Sequence, residues 1–262
     1  ATDLLQAGAG QAAIEQQRAQ LGLDDPLPQQ YMRTLLGYLR ADFGVSLLSK
    51  RPVTDVITER LDATLALTAL SWMLAVGFGT LLGTFAGLGH GIASRLAQLM
   101  IGLALSVPLY WTATLILFVF AVPSVNALLL PALILGYHAS GGIARVLQAN
   151  IASVTSAGFI QTARAKGLGR RHIILWHVLR IAWLSIIAIA ALQAGFIFSG
   201  AVITESIFNL AGIGTLLLRA VVEQDYPVVQ GIVLLSALVY VIMNALADGL
   251  RFLADPRLRL AT

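Results

Sequence analysis

The sequence predicts an all-α polytopic membrane protein with five visible transmembrane helices, and three observations carry that prediction. Of its 262 residues, 58% are hydrophobic and only 11% charged, against about a quarter charged in a soluble domain. The charges stand in blocks, so that 49 successive residues between Arg95 and Arg145 carry none. The apolar runs do not alternate as barrel strands must, and backbone polar groups in lipid have to be paired within their own segment, which leaves the helix.

A crossing needs about 20 apolar residues at 1.5 Å of rise each. Residues 1–61 form a polar N-terminal head, and the first span follows at about 62–89. The long uncharged run is too long for one crossing. Pro123, Ser124, Val125 and Asn126 supply a turn, giving spans near 97–121 and 127–147. A loop over 148–180 follows, then spans at about 182–203 and 227–247. Between these last two, residues 205–226 are too polar to span and too apolar for a free loop. Leu210, Ile213, Leu216, Leu217, Leu218 and Val221 are expected on one side of a short helix at the outer surface. In the first span Gly79, Gly83 and Gly87 recur every fourth residue, the pattern of a close helix-packing face within the subunit or against a second one.

Charge asymmetry fixes the orientation. Residues 1–62 hold six Lys/Arg against eight Asp/Glu, and residues 204–226 hold one Arg against three acids. The opposite side receives Arg95, a block from Arg145 to Arg180 with six Lys/Arg and no acid, and a tail with three Arg. Excess positive charge marks the cytoplasmic side, so the head is extracytoplasmic and Ser46 is expected to be reachable from outside. Five spans from an outside start imply a sixth, upstream helix.

Several functions are disfavoured. No phosphate-binding G-x-x-x-x-G-K-[ST], no G-x-S-x-G and no H-E-x-x-H occurs, so no catalytic residue is assigned. Cysteine is absent, and His90, His138, His172 and His177 are scattered without neighbouring carboxylates, so no metal site is predicted. The basic residues are interleaved with apolar spans, unlike a nucleic-acid-binding patch. An intramembrane enzyme would have only Ser106, Tyr110, His138 and Ser199 as candidate catalytic groups at depth, and they form no motif. A secondary transporter of a small neutral solute is the alternative transport reading, but coupled carriers bury Asp, Glu or Arg in their spans as coupling sites, and none lies inside these five away from their ends. The translocation route is therefore expected to be lined by weakly polar side chains: Ser106, Tyr110, Thr112 and Thr114 near Pro108, with Gln193 and Ser199 on the fourth span.

The stretch "TARAKGLGRRHIILWHVLR" (162–180) holds five Lys/Arg around a Gly-Leu-Gly break. Juxtamembrane cations facing lipid headgroups account for the charge but not for the Ala and Gly spacing. The stretch resembles the cytoplasmic loop of ABC importer permeases of the dipeptide/oligopeptide/nickel branch, which work with a separate binding protein. That loop has the form E-A-A, three residues, G, nine residues, I-x-L-P. Here Gln161-Thr162-Ala163, Gly167 and His177-Val178-Leu179-Arg180 occupy it, with Gln161 in place of Glu. "LGLDDPLPQQY", "DFGVSL", "ERLDATLALT", "ITESIFNLAGIGTLL", "DYPVVQG" and "DPRLR" are similar to the same branch, although "NLAGIG" lacks its "WPG". The resemblance implies a type I importer permease fold, with a first helix upstream of this chain. It places the protein in the bacterial inner membrane with a second permease subunit, two ATPase subunits that bind the ATP and Mg, and an extracytoplasmic solute-binding protein. It implies peptides, nickel complexes or metallophores as solutes. Gln161, Thr162, Ala163, Arg164, Ala165, Lys166, Gly167, Leu168 and Gly169 would be the ATPase-coupling residues, the small ones among them seating in a groove on the partner.

Overall fold

The structure, a computed structural model, describes residues 25–89, 91–120 and 128–254. Helix α1 (Leu27–Leu39) belongs to the head. A turn closed by an isolated bridge between Val45 and Pro52 leads into α2 (Val53–Leu88). Proline immediately before a helix costs no hydrogen bond and its fixed φ suits the entry, so α2 begins at Val53. Helix α2 thus begins nine residues before the span expected at 62.

The span expected at 97–121 is broken. Helices α3 (Ile92–Ser106) and α4 (Leu109–Phe120) meet at 104°. Pro108 is the cause: it has no N–H, and its ring forces the preceding residue out of helical geometry. Val107 is extended, with φ −85° and ψ 129°. The turn expected at Pro123–Asn126 lies outside the described residues.

Helix α5 (Leu129–Ser156) is followed by the short α6 (Gly158–Ala165). One turn at Arg170–His172 and a π-helical stretch, Ile173–Val178, run without a break into α7 (Leu179–Ile207). Helices α8 (Ile213–Val222) and α9 (Tyr226–Ala254) complete the described chain. By length and apolarity, α2, Ile186–Ile207 of α7 and Tyr226–Gly249 of α9 suit a membrane crossing, and the bent α3–α4 pair makes a fourth, broken one. Helix α5 differs because it is the hub. It packs along α2 and also meets α3 and α7. Neighbouring helices rather than lipid surround it, so it tolerates Tyr137, His138 and Ser140.

The hub contact explains the glycine spacing. A Cβ added at Gly79 would lie 2.7 Å from Ile143 Cβ, at Gly83 2.8 Å from the Ala144 carbonyl, and at Gly87 2.9 Å from Ile151 Cβ. Gly136 of α5 returns the contact, with the Ser71 carbonyl 2.8 Å from its Cβ position. Apolar side chains gain nothing by leaving lipid for one another, so helices in lipid associate through such close backbone approach. The glycines thus pack α2 on α5 within the subunit.

Candidate coupling segment and translocation face

The basic loop folds into a rod held on the body of the protein. Ala157 is extended at the end of α5 and turns the chain into α6. Ile160 (0% exposed) and Ala163 (8%) point inward and join the main core with Ile173 and Val178. Residues five apart diverge by about 140° on an α-helix. The wider π-helical turn brings Ile173 and Val178 nearer one side, and both are buried. Gly167, at φ +79°, ends the rod. The Gly167 N–H donates to the Arg164 carbonyl at 2.9 Å and the Leu168 N–H to the Ala163 carbonyl at 3.2 Å, the paired bonds of a helix that closes on a left-handed glycine.

Of the residues expected to meet a partner, Gln161, Thr162, Arg164, Ala165, Lys166, Gly167, Leu168 and Gly169 are exposed. Ala163 is not available, because its methyl is spent on this chain's own core. Phe159, which sequence reasoning passed over, is half exposed on the rod. Spacing gave no sign of it, because Phe159 lies only about 40° around the helix from the buried Ala163.

At the α3–α4 bend, Ser106, Tyr110 and Thr114 are exposed and Thr112 is half-buried. A side chain from the hub ties the bend together. Pro108 has no N–H to give to the carbonyl four residues before it, and His138 Nδ1 lies 3.1 Å from that Ala104 oxygen. His138 Nε2 is 3.1 Å from Thr112 Oγ1 on the far arm. A carbonyl only accepts, so Nδ1 carries the proton, and in the neutral ring Nε2 accepts from the Thr112 hydroxyl. Tyr137 adds a bond from its hydroxyl to the Met100 carbonyl at 2.8 Å. On α7, Ser199 is exposed, whereas Gln193 is engaged: its Nε2 donates to the Ala139 carbonyl of α5 at 2.6 Å.

At the far end of α7 the carboxyl of Glu205, 0% exposed, caps the start of α8. It accepts from Thr64 Oγ1 at 2.6 Å and from the Gly214 N–H at 2.7 Å. Thr64 in turn accepts from the Ile213 N–H at 2.8 Å. A Cβ at Gly212 would overlap this carboxyl, so glycine there makes the approach possible. A carboxylate at a helix N-terminus is favoured by the unpaired N–H groups and by the helix dipole. Sequence reasoning used Glu205 only as a span boundary; the Gly-Ile-Gly seven residues on was the missed sign. Ile213 and Ala220 turn inward on α8, Leu216 and Leu217 are partly buried, and Leu218, Val221 and Val222 are exposed. The apolar residues therefore do not share one side. Asp225 is 2% exposed and accepts from Ser46 Oγ at 2.5 Å and from the Leu47 N–H at 3.1 Å. Ser46, expected to be accessible, is itself 3% exposed for that reason.

Among the described residues no group of three or more His, Asp or Glu is placed to hold a metal ion. Residues 79–260 match the family of the binding-protein-dependent transport system inner membrane component. The chain belongs to that family. It is the permease subunit of an ABC importer, a multi-pass protein of the bacterial inner membrane that works with other components of such a system. It is 36% identical to the glutathione transport system permease protein GsiC of Pectobacterium atrosepticum, over 96% of this chain and 86% of that one. Against the GsiC of Escherichia coli K12 the identity is 35%, covering 94% and 84%. A crystal structure of an amino acid ABC transporter with histidines superposes with a TM-score of 0.62 at 20% identity, covering 78% of this chain and 94% of that one. The latter likeness is one of fold.

Proposed function

We propose that this permease imports a short peptide and that residues 158–169 transmit the work of a separate ATPase to it. The observation that carries the coupling role is the two-sidedness of α6. Ile160 and Ala163 lock it into the core that also holds α2, α5 and α7, while Phe159, Thr162, Arg164, Ala165 and Lys166 stand outward. A rod pushed from outside would move the membrane helices with it. Relatives named for glutathione transport support the peptide reading over nickel complexes. In this reading the subunit pairs with a second permease and two ATPase subunits, and an extracytoplasmic binding protein delivers the solute. Ser106, Tyr110, Thr112, Thr114 and Ser199 line the route, with Gln193 as a tether beside it.

Burial of Ala163 dictates which variants test the coupling role. Ala165→Trp adds bulk on the outward face, and Arg164→Glu reverses its charge. Both are expected to cut ATPase co-purification and solute-stimulated ATP hydrolysis by about 5- to 150-fold, the equivalent of roughly 1–3 kcal/mol of lost fit. Normal assembly and hydrolysis in both would refute the coupling role.

A further inference from the structure

Helix α1 has one apolar half that no described part of the chain covers. At about 100° per residue, Leu27, Tyr31, Leu35 and Tyr38 fall on one stripe, with Leu36 and Leu39 beside it, while Gln29, Arg33 and Gly37 stand opposite. None of the 13 residues of α1 is buried. Leu27 and Leu39 are 80% and 77% exposed, and no other described helix packs along α1. A surface helix normally turns such a face onto a core.

Contacts at the end of α1 set its depth. The Tyr38 hydroxyl donates to Gln230 Oε1 at 2.8 Å, and its ring stacks on Phe43 with centroids 5.6 Å apart. Phe43 in turn packs on Val53, Ile57, Val228 and Ile232. Gln230 lies about 6 Å along α9 from Tyr226, where that crossing begins. The crossing stretch Tyr226–Gly249 has 24 residues, a length of about 36 Å against a hydrocarbon core of about 30 Å. The level of Gln230 is therefore the edge of the core and not the water above it. The face that sends Tyr38 to α9 is the one that carries Leu27, Tyr31 and Leu35.

We infer that α1 is an interfacial helix, docked by its apolar face on the phospholipid leaflet at this end of the bundle. Amphipathic helices of this kind sink their apolar side about 5–10 Å into the boundary of headgroups and acyl chains, which is the depth that Tyr38 sets. Tyrosine suits that boundary, having an apolar ring and a polar tip. A water-soluble partner would have to reach below the end of α9 to cover the same face. Arg33, the cation within α1, is already paired with Asp25, so apolar burial rather than anionic headgroups drives the contact. With α1 held by lipid and Ser46 by Asp225, the head is fastened at two points.

The chain has no cysteine, so single nitroxide labels test the contact in the assembled transporter, its other subunits made cysteine-free, in phosphatidylcholine nanodiscs. Labels at Tyr31→Cys and Leu35→Cys are expected to collide severalfold more with oxygen, which dissolves in lipid, than with a water-soluble nickel chelate. Labels at Gln29→Cys and Arg33→Cys should show the reverse preference. Adding Leu27→Asp and Leu39→Asp together should raise chelate collisions at the Tyr31→Cys label severalfold, and Gln29→Asp should not. Equal chelate access on both faces places α1 in water and overturns the inference. Shielding of the Tyr31→Cys and Leu35→Cys labels from both reagents places protein against the face, and also overturns it.

Discussion

His138 shows how one residue can be required by another far from it in sequence. Pro108 breaks the helix and frees the Ala104 carbonyl, and the imidazole satisfies that carbonyl while also reaching Thr112 across the bend. His138→Leu keeps much of the volume but leaves the carbonyl without a donor. Loss of a buried partner costs about 1–3 kcal/mol, so the purified subunit should melt several degrees lower, whereas His138→Gln should recover part of the difference. Equal melting temperatures in the parent and the Leu variant would show that the clasp contributes nothing. Glu205 is the second such residue. Glu205→Gln keeps one oxygen for the Gly214 N–H but puts an NH2 group, which cannot accept, opposite the Thr64 hydroxyl that now donates there. It should destabilise by about 1–3 kcal/mol, and Thr64→Val should add little on top, because the two changes break one network.

Among elements, α2 offers a paired comparison along a single helix. Gly83 faces the Ala144 carbonyl so closely that a Cβ has no room, while a Cβ at Gly77 would meet nothing within 4 Å. Gly83→Ala should therefore force α2 from α5 at a cost of about 1–3 kcal/mol, and Gly77→Ala should be neutral or stabilising. Thermal unfolding in detergent reads both, and equal effects would refute the packing role of the stripe. Helix α6 offers a similar contrast. Ala163→Trp should disturb this subunit's own core and lower its stability, whereas Ala165→Trp should leave stability intact and act only on assembly with the ATPase. The fourfold Gly repeat and the Gly167 break were legible because close packing and left-handed turns each demand glycine. The inward direction of Ala163 was passed over. Phe159, Ile160 and Ala163 fall within about 100° on one side of the helix, but the resemblance cast Ala163 as a contact with the partner.

For the whole molecule, the charge asymmetry predicts an outside head, and the structure refines how to probe it. The chain has no cysteine, so single cysteines can be introduced directly. Ser49→Cys, on an exposed turn, should react with an impermeant thiol reagent added from outside. Ser46→Cys, sealed against Asp225, should react slowly or not at all. Labelling of Ser49→Cys only after the cytoplasmic side is opened would reverse the orientation. By itself, the sequence determined the fold class and the apolar runs that became α2, α7 and α9. Lipid excludes charge and unpaired backbone so strongly that segment-by-segment composition decides these things. Only the tertiary structure decided that the second span is broken and clasped, that α5 is a buried hub, and that Glu205 and Asp225 fasten the end opposite the basic loop. Each of these depends on which groups meet across 26 to 179 residues of chain, and spacing along one helix carries no record of a partner on another.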